Sequence, residues 1–431
     1  MSELTRGRFI LRAALAAILM VLAGAVIFNI QGDRQRTEAQ RAFKAKLGGY
    51  LGARPRVVDE RNAAVPLVAG AQALILSIED KTALGQMTLK PASGWTAGER
   101  AFLRSVLETN RPGLELLYRS GGMRESDFGL DPLAARQDPA EFASRMPLLK
   151  LLWAQRLLWL DANEAWIAYD RTRFAAASAA MASLASALER ESPLIAGLIG
   201  VASEKIFHSA AAAALTSPAC DLETVALLSK DLPSEDLIGS WRRAIAGESR
   251  VLPAEDLARS QRELGDLQWY SRALAGIHEL ILGRRDQALR LRALIVLADS
   301  LDVPYGSSPD WPGARAAEVQ QRCGFPLMPG MRNLFNAAGR YQSGLAGRQL
   351  IHTALWVREQ GLQTGAYPAS LVGSPEGTRP DAFSGSPLVY EVHPDGSATL
   401  AIKNGDKLWN RLVQNIRSSL PFTLRLPPPS R

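Results

Sequence analysis

The sequence predicts a mainly α protein. It has an N-terminal transmembrane helix, a body of helical hairpins forming a bundle or irregular solenoid, and a small C-terminal α+β module with a β-hairpin. Three observations carry this. Phe9–Ile30 is an apolar run interrupted only by Arg12 and Asn29 near its ends. From Asp138 to about Leu215, apolar residues recur at helical spacing between short polar corners. Leu388–Val392 and Ala398–Ile402 have strand character and flank the turn residues Pro394–Ser397.

The first run is taken as an anchor over residues 1–32. From Ala13 it offers about 18 residues, enough to cross a hydrocarbon core as a helix. Arg6, Arg8 and Arg12 precede it, which favours a cytoplasmic N-terminus and a body on the other side. Ala23-Gly24-Ala25 has the small residues of a signal-peptide cleavage site, so export after cleavage is the alternative. Val26-Ile27-Phe28 continue the apolar run beyond that site and favour an uncleaved, single-pass anchor in contact with membrane lipid.

The 431 residues are 47% hydrophobic and 22% charged, which suits a large folded core. The net charge is +7, but the cations are dispersed among acids, without the basic and aromatic interleaving of single-strand binders. This argues against nucleic acid as a partner and for a basic surface beside an anionic membrane. Cys220 and Cys323 lie in no metal-binding pattern. They can pair in an oxidising compartment or remain as buried thiols.

Residues 33–58 read as a helical stalk and linker broken by Gly48-Gly49 and Gly52–Pro55. The helical body spans 59–301. Asp59–Ala64 leads into an apolar run from Val65 to Ile78 with Pro66 in its first turn. Thr96-Ala97-Gly98-Glu99 is a capping box starting a helix that Arg111-Pro112-Gly113 ends. Asp161-Ala162-Asn163-Glu164 is expected as a polar break and Glu191-Ser192-Pro193 as the next corner. Helices then follow over Asp221–Leu232, Ser234–Ala246 and Pro253 to about Leu301. Residues 302–330, with five prolines, read as an irregular loop or boundary. A helix from Met331 to about Gly361 opens the C-terminal module, 331–420. A last helix from Asp406 and a loose Pro-rich tail, 421–431, complete the chain.

Within that module stand Gly365-Ala366-Tyr367-Pro368 and Pro380-Asp381-Ala382-Phe383-Ser384-Gly385-Ser386-Pro387-Leu388-Val389-Tyr390. This segment resembles the stretch after the long helix of type II secretion pseudopilins. The same arrangement is similar to the C-terminus of a group of uncharacterised, membrane-anchored, mostly helical bacterial proteins, which Asp59–Ala64 and the corner at Asp161 also resemble. Ala382 stands where the pseudopilin pattern has proline. No acids around Lys403-Asn404-Gly405-Asp406 match the calcium ligands, so no calcium site is expected. The prepilin cleavage signature is absent before the anchor. The resemblance implies a bacterial inner-membrane protein with a periplasmic body, not itself a processed pilin but associated with a secretion or pilus-like machine. Read physically, Gly365, Tyr367, Pro368, Asp381, Phe383, Gly385 and Tyr390 are structural: a turn, an aromatic wedge and a helix stop under the hairpin.

No catalytic, cofactor or metal residues are assigned. His208, His278, His352 and His393 form no ligand pair, and His278-Glu279 lacks the second histidine because position 282 is Leu282. There is no Gly-x-Ser-x-Gly elbow and no phosphate loop. Glu204, Glu223, Asp236, Glu255 and Asp256 lie at helix starts and on helix faces. The expected role is binding or scaffolding of an envelope protein in a groove between helical hairpins. An envelope hydrolase with a site assembled from distant residues is the alternative.

Overall fold

The structure is a computed structural model and describes residues 29–52, 56–129, 144–191, 193–233, 236–251, 285, 287–323, 331–413 and 421–429. The expected anchor lies outside the described residues except for Asn29 and Ile30, as do His278, Glu255 and most of Pro253–Leu301.

Local chemistry sets the first helices. Residues 29–47 form α1, whose Ala39, Phe43 and Leu47 are buried. Lys46 pairs with Asp299, and Glu38 lies 3.9 Å from Arg292, so this segment is packed along the body where a free stalk was expected. Asn62 then ties the chain to a later loop: its amide donates to the Asp127 carbonyl at 2.8 Å and accepts from the Asp127 N–H at 2.9 Å. The next helix, α2, spans Ala64–Ala73, stopping short of the expected Ile78. Ser77 caps a separate helix, α3, over Ile78–Met87. The capping box at Thr96 and Glu99 forms and starts α4, Ala97–Thr109. Arg111-Pro112-Gly113 opens a new helix, α5 (Arg111–Arg119), because Pro112 sits in a first turn, where its missing N–H costs nothing.

The central layer consists of α6 (Leu148–Ile167), α7 (Arg171–Glu189) and α8 (Leu194–Leu215), packed as successive antiparallel neighbours. Asp161–Glu164 is a correction. These residues lie inside α6, and Asp161 and Glu164 are buried. Arg173 donates to Asp161 at 2.6 Å with Tyr118 bonded beside it, while Arg100 and Arg104 reach Glu164 at 3.0 and 2.7 Å. With their charges met by other helices, nothing forces the acids out to a corner, and the turn falls instead at Ala168–Asp170. Close approach of α7 and α8 depends on Gly200, where a Cβ would stand 2.8 Å from the Glu189 backbone nitrogen.

Among the described residues α8 alone is long and apolar enough to cross a membrane. It carries Glu204, Lys205 and His208 into the interior, and its neighbours α6, α7 and the long helix below cover it. We therefore treat it as the core helix of the body.

Two shorter helices, α9 (Leu222–Asp231) and α10 (Leu237–Val251), follow, and residues 287–298 form α11. The stretch expected to be irregular from Asp302 contains α12, Trp311–Cys323, again with a proline, Pro312, in its first turn. Tyr305, Trp311 and Phe335 bury themselves together, which fixes this helix against α13, Met331–Thr364. Cys220 is a buried free thiol, and the side chain of Cys323 lies outside the described residues.

The C-terminal module is a three-stranded antiparallel sheet in the order β1 (Val389–Val392), β2 (Ala398–Ala401) and β3 (Thr423–Leu426), with α14 (Gly405–Val413) between β2 and β3. The expected hairpin forms in the register Val389 to Ala401. The tail is a correction: Thr423–Leu426 pairs with β2, and buried Leu424 and Leu426 hold it on the core. The alternation of Leu424 and Leu426 with exposed Thr423 and Arg425 is a half-buried strand pattern that three following prolines obscure.

Candidate functional site

The described residues enclose a groove of about 1430 Å³. One wall is α6, which presents Leu152, Arg156, Trp159, Asn163 and Trp166 at alternating spacings of three and four. The facing wall is α8, with Leu198, Ala202, Ile206, Ser209 and Ala213 at the same periodicity. Small side chains on α8 leave the space that larger ones would fill. The loop Thr88–Trp95 borders the groove on the N-terminal side, while Arg340, Trp409, Val413 and β3 residues border it on the other. Helical body and C-terminal module therefore both contribute walls.

Its aromatic lining is fixed. The Trp95 indole donates to the Met87 carbonyl at 3.2 Å, and its ring meets Trp159 edge-on at 6.1 Å. Arg171 stacks over Trp166 at 4.5 Å. The buried Trp159 indole nitrogen has no hydrogen-bond partner.

Five cations and no acid line the groove among the described residues. Lys90 and Arg100 are neutralised by Glu99 and Glu164. The others are not. Arg156 lies over the Trp153 ring at 4.8 Å. Lys205 Nζ donates to Ser343 Oγ at 2.5 Å and stands 4.2 Å from the Trp409 ring centre. Arg340 is exposed and pairs with no acid among the described residues. Burial first, and the charge of Arg340 second, push the Lys205 ammonium down to about 7, against the pull of Glu204. The groove thus combines apolar and aromatic surface with positive potential, the chemistry for an anionic ligand with an apolar body.

Behind Lys205 lies a sealed charge cluster. Arg348 of α13 reaches Glu204 at 2.6 Å and Glu189 at 3.4 Å, and His208 lies 3.4 Å from Glu204. Burial would raise the Glu204 carboxyl, yet the Arg348 guanidinium beside it holds it below its ordinary value. Burial lowers His208 to about 4, so it is neutral at ordinary pH. With no exposed surface, His208 cannot touch a ligand. A smaller cavity of about 150 Å³ contains His352 and Glu376, 3.8 Å apart. No cluster suited to a metal occurs among the described residues.

The residues singled out in the sequence lie outside the groove, in two places: Gly365, Tyr367 and Pro368 follow the end of α13, while Phe383 and Gly385 pack beside Pro304–Gly306 near its start. Gly365 has φ +80° and turns the chain out of the helix, donating to the Gly361 carbonyl at 2.8 Å. Tyr367 accepts from Arg358 at 2.7 Å and donates to the Pro427 carbonyl at 2.5 Å. Arg358 is wholly buried and also bonds the Pro427 and Cys220 carbonyls. Tyr390 donates to the Pro368 carbonyl at 2.6 Å. Asp381 folds its own loop, accepting from the Phe383 and Ser384 N–H groups, and Gly385 closes that loop with φ +74°. Phe383 stacks between Tyr305 and Phe422. These residues position the module that forms the groove's far wall.

Sequence reasoning missed Arg156, Lys205 and Arg340. The available signal was an isolated cation on each of three otherwise apolar or small-residue faces, but their convergence across 184 positions (156 to 340) is not a local property. No family model matches this chain, and neither a curated protein nor a solved structure resembles it significantly.

Proposed function

We propose that this chain is a binding protein of the bacterial envelope, anchored by Phe9–Ile30, with its body in the periplasm. Its groove receives a segment of a partner polypeptide that carries acidic and apolar side chains. The observation behind this is the groove itself: tryptophan and small-residue walls with Arg156, Lys205 and Arg340 unpaired by acids. Charge complementarity favours an acidic segment, and fixed aromatic faces supply contact area at little entropic cost. An association with a secretion or pilus-like machine is the sharper form of the proposal and rests on the Gly365–Tyr390 resemblance.

The test is photo-crosslinking in intact cells from a probe at Ile206, on the groove wall. The expected product is a discrete adduct with an envelope protein, absent when the probe is moved to exposed Lys403 on the hairpin side. Equal adducts from both positions, or none from Ile206, overturn the proposal. Identification of secretion components in the adduct supports the machine association, and other envelope proteins overturn that form alone.

A further inference from the structure

Building on the groove reading, we infer that a carboxylate of the bound segment docks between Lys205 and Arg340, against Trp409. Lys205 is only 4% exposed, yet it borders the groove. Its ammonium has three N–H groups: Ser343 accepts one and the Trp409 ring faces the ammonium, but among the described residues no carboxylate pairs with it. Ser343 lies one helical turn after Arg340 on α13, so the same turn that anchors Lys205 brings up a second positive charge. Two cations pushed together at the edge of a low-dielectric interior repel each other, and a shared carboxylate reverses the sign of that interaction. Arg340 offers a planar fork for two carboxylate oxygens, and Lys205 offers a point charge beside it. Val413 and Leu424 line the same groove and offer apolar surface for a neighbouring side chain.

The surrounding charges are already committed. On α8, Glu204 is turned to Arg348 and His208 lies in the sealed cluster. From α7, Glu189 also meets Arg348, and from α13, His352 meets Glu376. Arg156 faces the groove from α6, and on α14 Arg411 donates to the Tyr305 carbonyl. A carboxylate at Lys205 would draw the ammonium's titration upward from about 7, so binding takes up a proton and weakens as pH rises through and above that value.

The test uses the full chain in detergent micelles and fluorescence anisotropy of a dye-labelled, leucine-flanked peptide with one glutamate. Its glutamine counterpart and C-terminal free-acid and amide forms complete the set. The wild type is expected to prefer the glutamate peptide by about 10-fold, roughly one charge-assisted contact. That preference should vanish in Lys205→Met and in Arg340→Gln, the latter being an exposed site that leaves the core intact. Lys205→Arg should keep the preference and lose its decline as pH rises past neutrality, since a guanidinium stays charged throughout. Free-acid and amide forms decide whether a terminal or side-chain carboxylate is held. If the wild type binds none of the peptides, the groove reading falls. If it binds them but prefers neither glutamate over glutamine nor free acid over amide, or Lys205→Met and Arg340→Gln discriminate as well as wild type, the carboxylate subsite falls while the groove stands.

Discussion

Glu204 and Lys205 are neighbours on one helix and meet opposite fates. Glu204 turns inward to an arginine 2.6 Å away and belongs to a closed set of Glu189, His208 and Arg348. Lys205 turns to the groove, where a serine hydroxyl and an indole face stand in for a counter-ion. The difference separates two uses of buried charge. Where one buried arginine serves two carboxylates inside the fold, removing it exposes their desolvation cost. Where a cation borders a cavity without an acid, its titration is depressed instead, and a carboxylate from outside can serve as the partner the fold does not supply.

This contrast breaks most sharply at Arg348. Arg348→Met strands Glu204 and Glu189 in the interior and should lower unfolding free energy by about 3–5 kcal/mol, read from denaturant melts. A variant that melts with the wild type would show that the inner cluster is not matched charge. Arg358 and Tyr367 repeat the matched case with carbonyl partners at smaller scale. Tyr367→Phe removes a hydroxyl that bridges Arg358 and the Pro427 carbonyl. It should cost about 1–2 kcal/mol and speed amide exchange in β3 ahead of the other strands.

Lys205→Met should be the mildest for stability and the most informative. The folded-state titration of Lys205 is depressed to about 7, whereas an unfolded lysine titrates near about 10.4. Between those values the unfolded chain binds more protons, so wild-type stability rises with pH across that window. The variant should flatten this rise and melt no lower than the wild type at pH 7. His208 supplies a second slope. It is lowered to about 4 when folded, against about 6.5 unfolded, so stability falls as pH drops through that interval. His208→Gln should reduce the acid loss in pH-dependent melts, and an unchanged profile would place the acid sensitivity elsewhere.

Elements fixed by neighbours in sequence were legible. Thr96 and Glu99 cap one another, Pro394–Ser397 turn the hairpin, and the spacing over Met331–Thr364 suffices for a long helix. Elements fixed by distant partners were misread. Asp161 and Glu164 look like a polar corner until Arg173, Arg100 and Arg104 arrive from other helices. Arg111-Pro112-Gly113 looks like a stop, yet Pro112 serves equally in a first turn.

By itself, then, the sequence determined a mainly helical chain with a small antiparallel sheet at its end, because apolar period, caps and turns act over a few residues. Only the tertiary structure decided which charges are matched. Arg156, Lys205 and Arg340 are unremarkable singly, and they line one groove because α6, α8 and α13 pack around one open space. Pairing depends on distance and dielectric between parts of the chain far apart in sequence, and folding alone sets both.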